Sequence, residues 1–151
     1  SWYMGLFNVP WLSDWVVQRQ GYAFIRKLWR DWSPGWQPDH GALDAVIQTL
    51  SQPGVRSAAL GYYRAALSVK ALLVSAGEAH YPVPVPTLAL SGERDGCIAS
   101  DVFERLTVAE DFPQGVRFHR VSGAGHFLHQ EKPEVVNPLL LDWLNQYSHH
   151  R

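Results

Sequence analysis

The stretch Val-Ser-Gly-Ala-Gly-His-Phe-Leu-His-Gln-Glu-Lys-Pro-Glu (121–134) decides how this sequence folds. It places His126 on a glycine-flanked turn, directly after a run that alternates apolar and polar residues as a strand does. Upstream, Pro-Thr-Leu-Ala-Leu-Ser-Gly-Glu-Arg-Asp-Gly (86–96) is a short apolar run that ends near Asp95. We therefore predict two strand–helix units, with strands at 87–91 and 116–121 and with helices around 100–108 and from about 133.

Asp95 and His126 each follow a predicted strand. Adjacent parallel strands end at the same edge of a sheet, where α/β folds bind their ligands. An aspartate beside a histidine holds one ring tautomer and stabilises the protonated imidazole. Gly123 and Gly125 are expected to let the backbone turn sharply enough to present His126. The alternative is that Asp95 caps the next helix and His126 is an ordinary turn residue.

Residues 1–80 have a different character, because they are rich in aromatic residues and show helical spacing. We predict helices over 14–30, 40–52 and 55–74, with a break at Gly21 and with Asp39 as an N-cap. Alternating prolines in 81–86 then predict an extended connector. The predicted organisation is a helical cap, or lid, over 1–80 and an α/β part over 81–151.

The sequence resembles a known family, and two further motifs in the helical region contribute to the resemblance. Residues 86–147 resemble the C-terminal end of α/β-hydrolases, and the whole chain resembles their epoxide hydrolase branch. In the cap, Ser-Trp-Tyr-Met-Gly-Leu-Phe-Asn-Val-Pro (1–10) is similar to a family segment that carries one epoxide-polarising tyrosine, which corresponds to Tyr3. Gly-Tyr-Tyr-Arg-Ala (61–65) resembles the segment that carries the second, which corresponds to Tyr63.

The resemblance implies the C-terminal part of an α/β-hydrolase fold, two parallel strands with helices, preceded by a helical cap. No Gly-x-Ser-x-Gly motif occurs in the chain, so the nucleophile is expected in a missing N-terminal half. The implied reaction forms an aspartyl ester, which a water activated by His126 and Asp95 hydrolyses. Tyr3 and Tyr63 would donate hydrogen bonds to the epoxide oxygen. The chain alone is expected to be inactive.

Other functions remain open at this point. A haloalkane or haloacetate dehalogenase is one alternative. Fluoroacetate and haloacetate dehalogenases share the tyrosine-arginine cap motif, although Met4-Gly5 stands at about the place where they carry a His-Trp pair. A serine nucleophile would make the protein a carboxylic-ester hydrolase. A non-catalytic binding module is the third possibility, and in it Tyr3 and Tyr63 would only pack between helices.

Composition limits the partners. The formal net charge of −1 gives no basic surface for nucleic acid, and no apolar run is long enough to span a bilayer. A single cysteine, Cys97, suits a reducing compartment, so a cytoplasmic location is expected. His126 and His129 lack a third ligand at convincing spacing, so neither a metal nor a cofactor is expected. The expected substrate is a small apolar organic molecule, and the residues predicted to contact it are Phe7, Cys97 and Phe127.

Overall fold

The structure, a computed structural model, describes residues 2–66 and 82–148, without the side chains of residues 2–4, 10, 40, 66 and 148. Its helices are α1 Trp2–Phe7, α2 Pro10–Trp32, α3 His40–Leu50, α4 Val55–Ala66, α5 Ser100–Leu106, α6 Leu128–Glu131 and α7 Pro133–Ser148. Its strands are β1 Thr87–Gly92 and β2 Val116–Val121, and a short 3₁₀ turn, Ala109–Asp111, precedes β2. The element order confirms an α/β chain in which helices precede both strands.

The chain divides into two compact units. Unit 1 lies within Ser1–Trp29 and Pro38–Ala79, and unit 2 lies within Arg30–Gln37 and His80–Arg151. Helix α2 therefore begins in unit 1, and its last residues belong to unit 2. The predicted boundary at 80/81 and the predicted helical residues 67–74 lie outside the described residues.

Unit 1 is organised around a kink in α2. The backbone is non-helical from Arg19 to Tyr22, where Gln20, Gly21 and Tyr22 all have positive φ angles. Glycine tolerates this conformation, so the predicted break at Gly21 is confirmed. Tyr22 is buried, and its hydroxyl accepts a hydrogen bond from Arg56 at 3.2 Å. The kink thus turns a tyrosine into the interior of the unit.

In unit 2 the two strands pair in parallel. The register runs from Thr87 opposite Val116 to Gly92 opposite Val121, so both strands end at the same level. The core beneath them consists of Val121, Ala124 and Val136, with Leu90 and Leu128 packed against it. The predicted parallel arrangement is confirmed, and it brings the segments that follow β1 and β2 to one edge.

One local expectation needs correction. Asp39 precedes α3 as predicted, but its side chain makes no capping hydrogen bond. Pro138 lies inside α7, which continues through it from Pro133 to Ser148. Pro138 lies only one to two turns from the beginning of α7, so its missing N–H leaves a single carbonyl near that end without its helical donor.

Among residues 2–66 and 82–148, no helix has the length and apolar character that crossing a membrane requires.

Candidate active site

Asp95 lies in the loop that follows β1, with its side chain only 9% exposed. Its Oδ1 accepts hydrogen bonds from the backbone N–H groups of Cys97, at 2.7 Å, and Ile98, at 3.0 Å. Burial opposes ionisation of this carboxyl, but the hydrogen bonds from His126, Ile98 and Cys97 outweigh it and lower the pKa of Asp95. Asp95 is therefore a carboxylate with one oxygen held by its own loop and the other turned towards His126.

His126 lies on the turn after β2. Its Nδ1 is 2.9 Å from Oδ2 of Asp95, and its side chain is 31% exposed. An ionised carboxylate can only accept, so Nδ1 carries the hydrogen and donates it to Asp95. That fixes the tautomer and leaves Nε2 as the basic nitrogen whenever the ring is neutral. The predicted Asp95–His126 pair is thus in contact, in a form that can take a proton from water or from a hydroxyl.

The loops after β1 and β2 are joined by backbone and side-chain hydrogen bonds. The Arg94 N–H donates to the carbonyl of Ala124 at 2.8 Å. The Glu93 carboxylate accepts from the Gly123 N–H at 2.7 Å and from the Ser122 hydroxyl at 2.9 Å. These two hydrogen bonds, that of Gly123 first, lower the pKa of Glu93. The acid and the histidine are therefore held by a network, not by their mutual contact alone.

Glycines allow this close approach for two different reasons. Gly123 has a φ of +70°, so it supplies the sharp turn that the sequence predicts. Gly125 does not have a positive φ; a Cβ there would lie 2.6 Å from the Cα of Ser33. The expected turning role of Gly125 is therefore wrong, because its lack of a side chain makes room for a neighbouring segment instead.

No pattern in the sequence marks that neighbouring segment, the end of α2, as part of the site. The carbonyl of Trp32 accepts hydrogen bonds from the Gly96 N–H at 3.0 Å and from the His126 N–H at 3.1 Å. A Cβ on Gly96 would lie 2.0 Å from the carbonyl oxygen of Asp31, so the acid loop also needs a glycine to fit. One backbone carbonyl thus links the acid loop to the histidine turn.

Aromatic side chains flank the pair within unit 2. The ring of Trp32 lies 5.0 Å from that of His126, and the ring of Phe127 lies 5.3 Å from it. Trp36 lies 5.8 Å from Phe127 and extends the aromatic group. Two of the residues predicted to contact the substrate, Phe127 and Cys97, lie in this unit. Phe127 adjoins His126, whereas Cys97 is half-buried and donates its backbone N–H to Asp95.

A depression of about 150 Å³ opens beside the acid–base pair. It is lined by both members of the pair, by Ser91 and by apolar residues, namely Leu90, Ile98, Phe103 and Leu128. A space of this composition suits a small, mainly apolar molecule with one reactive polar group. The arrangement can place such a molecule, or a water, beside the acid–base pair.

The remaining predicted site residues belong to unit 1. Tyr63 lies on α4, and its ring packs 4.9 Å from that of Phe7. Phe7 is 3% exposed and also contacts Phe24 edge-on at 5.8 Å. Tyr3 lies on α1, but its side chain is outside the described part of the structure. The roles of Tyr3, Tyr63 and Phe7 in the reaction stay predictions.

Within the described ranges, 2–66 and 82–148, no three His, Cys, Asp or Glu residues come together as a metal-binding cluster would. His129 is exposed on the short helix α6.

Three of the known proteins to which this chain is similar are named epoxide hydrolases. No family model matches it. The human protein Epoxide hydrolase 4 is 29% identical over 153 residues, which cover 97% of this chain and 40% of that protein. Among solved structures, the Bacillus megaterium epoxide hydrolase in complex with an inhibitor matches with a TM-score of 0.73 and 25% identity, covering 96% of this chain and 51% of that one.

A second solved structure, the epoxide hydrolase CorEH without ligand, matches with a TM-score of 0.71. At 15% identity it supports the fold alone, over 95% of this chain and 50% of that one. The chain thus spans 40% of the human relative and about half of these structures. It resembles epoxide hydrolases over nearly its whole length and has the architecture of the C-terminal half of their α/β-hydrolase fold.

Proposed function

We propose that this chain supplies the water-activating part of an epoxide hydrolase active site. The observation that carries the proposal is the 2.9 Å contact between Nδ1 of His126 and Oδ2 of Asp95, on an edge of the sheet beside an apolar depression. Similarity to epoxide hydrolases supports a hydrolase that acts on a small organic molecule. The nucleophile, an aspartate, would come from residues that precede this chain.

The first step forms a covalent ester. One oxygen of the nucleophilic carboxylate attacks an epoxide carbon, and the carbon–oxygen bond of the ring breaks. The bonding electrons move to the epoxide oxygen, which needs hydrogen-bond donors and then a proton. Tyr3 and Tyr63 are proposed to donate to this oxygen from their phenol groups. The step leaves a hydroxyalkyl ester on the enzyme.

The second step hydrolyses that ester. Nε2 of His126 takes a proton from a water molecule, and the hydroxide oxygen attacks the carbonyl carbon of the ester. The bond between the carbonyl carbon and the alkyl group's oxygen breaks, and this oxygen takes the proton back from Nε2, so that the diol leaves. The carboxylic acid that remains loses its proton to solvent, which restores the aspartate, and the phenol that gave its proton to the epoxide oxygen regains one. Asp95 contributes by keeping the hydrogen on Nδ1 and by stabilising the charge on the imidazolium.

In this proposal unit 1 is the cap and unit 2 is the C-terminal part of the hydrolase core. Phe7, Cys97 and Phe127 are proposed to contact an apolar substrate, with Phe127 supported by its place beside His126. A cytoplasmic location remains a prediction that rests on the single cysteine, Cys97.

The 151-residue chain alone should not turn over epoxides, because the aspartate proposed to form the ester lies outside it. The test compares this chain with the full product of the reading frame that encodes it, using an epoxide and a p-nitrophenyl ester as substrates. Epoxide hydrolysis by the full product, lost in His126→Ala and strongly reduced in Tyr3→Phe and Tyr63→Phe, would support the proposal. Epoxide hydrolysis by the chain alone, abolished by His126→Ala, would overturn the need for an external nucleophile.

The same assay separates the alternatives. Ester hydrolysis that is unaffected by either tyrosine substitution would indicate a serine hydrolase, because its oxyanion is not held by cap phenols. Release of halide from a haloacetate would indicate a dehalogenase. No turnover by the full product on any of these substrates would favour a binding module.

A further inference from the structure

The turn that carries His126 is anchored by a carboxylate that plays no part in the proposed chemistry. Glu131, the last residue of α6, accepts a hydrogen bond from the Gly125 N–H on Oε2 at 2.7 Å. Its Oε1 accepts from the Phe127 N–H at 3.0 Å. The two oxygens of one side chain therefore hold the amides immediately before and after His126.

Ser33 completes the arrangement. Its hydroxyl donates to Oε1 of Glu131 at 2.7 Å, and its oxygen lies 3.2 Å from the Phe127 N–H. Ser33 is fully buried. The hydroxyl thus acts on both partners at once, as a donor to the carboxylate and as a second acceptor for the amide.

The result is a continuous set of anchored amides. The N–H groups of Gly125 and Phe127 are held by Glu131, and the His126 N–H between them is held by the carbonyl of Trp32. With the backbone fixed on both sides, the imidazole can move only about its own side-chain torsions. A reacting group held this firmly keeps its orientation towards its partner without reorganisation.

We infer that Glu131 and Ser33 form a clamp that positions His126, so that Nδ1 meets Asp95 and the residue borders the depression. The inference rests on the proposed function, since it is there that His126 acts as the base. Glu131 is a positioning residue, because its contacts are with the backbone of the turn and not with the reacting atoms.

The clamp makes a specific prediction about substitutions. In Glu131→Gln, the amide oxygen can still accept from Gly125, and the amide nitrogen can donate to Ser33, which then accepts from Phe127. In Ser33→Ala, Glu131 still accepts from both amides. In the double variant, the one amide oxygen of Gln can accept from only one of the two N–H groups, and the other N–H faces the amide nitrogen with no alternative acceptor. The effect of the double variant should therefore exceed the sum of the two single effects.

The experiment uses NMR of the 151-residue chain, which needs no turnover. Two signals are followed: amide hydrogen exchange at Gly125 and Phe127, and the downfield Nδ1–H signal of His126 bonded to Asp95. We expect each single variant to raise Phe127 exchange only several-fold. The double variant should raise exchange at Phe127 or at Gly125 by more than the product of the single-variant factors, about tenfold or more beyond wild type, and should weaken the Nδ1–H signal. Glu134→Gln, on the exposed first turn of α7, removes the same charge and should change neither signal.

The outcomes separate the clamp from the proposed function. Multiplicative factors in the double variant, or an unchanged Nδ1–H signal, would overturn the clamp while leaving the acid–base pair intact. A wild-type chain with no Nδ1–H signal, but with protected Gly125 and Phe127 amides, would contradict the proposed pair instead. If the double variant does not fold, the single variants still decide. The clamp would be refuted if the Phe127 amide exchanged in both Glu131→Gln and Ser33→Ala at the same rate as in the control Glu134→Gln.

Discussion

Gly92→Ala is the substitution for which the structure gives the most definite expectation. Gly92 ends β1, and a Cβ there would lie 2.0 Å from the carbonyl oxygen of Gly125 and 2.6 Å from that of Ala124. Real Cβ atoms essentially never come within 3.0 Å of another heavy atom, so the strand end and the histidine turn would have to separate by about 1 Å. The atoms in the way are backbone atoms, which cannot rotate aside.

The turn resists this displacement. Gly125 is fixed through its own N–H by Glu131, and the next N–H, that of His126, is fixed by Trp32. Overpacking costs about 1–3 kcal/mol, and a rigid backbone neighbour places the cost near the upper end, at about 3 kcal/mol. For a chain of this length that corresponds to a fall in melting temperature of roughly 6–12 °C.

The assay is thermal unfolding followed through the NMR amide signals of β1 and β2, which measure unit 2 separately from unit 1. Gly41→Ala is the matched control, because a Cβ there meets nothing within 4 Å and the residue lies inside α3. Gly41 belongs to unit 1, so this variant should leave the melting of the β1 and β2 signals as in wild type. If Gly92→Ala melted within about 1 °C of wild type, the close packing of strand end and turn would be refuted.

Three further predictions concern single side chains. The pKa of Asp95 is lower in the folded protein than in the unfolded chain, so the Asp95 carboxylate stabilises the fold at pH values above its unfolded-state pKa. This stabilisation is lost as the pH falls through the folded-state pKa. The urea midpoints of Asp95→Asn and wild type should therefore converge in acid. Val121→Ala, in the core of unit 2, should cost about 2–3 kcal/mol in urea unfolding, and a cost below about 1 would contradict its burial. Arg56→Met removes hydrogen bonds to Asp14 and Tyr22 and should lower the free energy of unfolding of unit 1 by about 1–3 kcal/mol. The control is Arg26→Met, at an exposed ion pair with Asp44, which should change that free energy by less than about 1 kcal/mol.

The sequence predicts those parts of unit 2 that leave a local signal. The strands are visible because apolar residues alternate in 116–121 and cluster in 87–91. The contact between Asp95 and His126 follows once the strands are parallel, because their ends then share one edge. The turn at Gly123 is visible because only glycine adopts its backbone angle without strain.

What the sequence does not reveal are contacts between distant segments. Ser33 lies 98 residues from Glu131 and 94 from Phe127, and no periodic pattern links them. Ser-Pro-Gly at 33–35 has the composition of a helix stop, and α2 ends at Trp32, but this composition says nothing about the partners of Ser33. Glu131 follows the histidine turn without any feature that separates it from a solvated helix end. Such contacts depend on the packing of the whole unit and emerge only from the structure.

The place of Arg30–Gln37 in unit 2 has a consequence for anyone who divides this protein into parts. A fragment that begins at residue 80 would keep both strands, Asp95 and His126. It would lose the carbonyl of Trp32, which accepts hydrogen bonds from the N–H groups of Gly96 and His126. Those amides would have to bind water, and the histidine turn would lose its support on that side. The compact unit that holds Asp95 and His126 is therefore discontinuous in sequence. A synthetic octapeptide covering residues 30–37, added to such a fragment in solution, is the natural way to restore it.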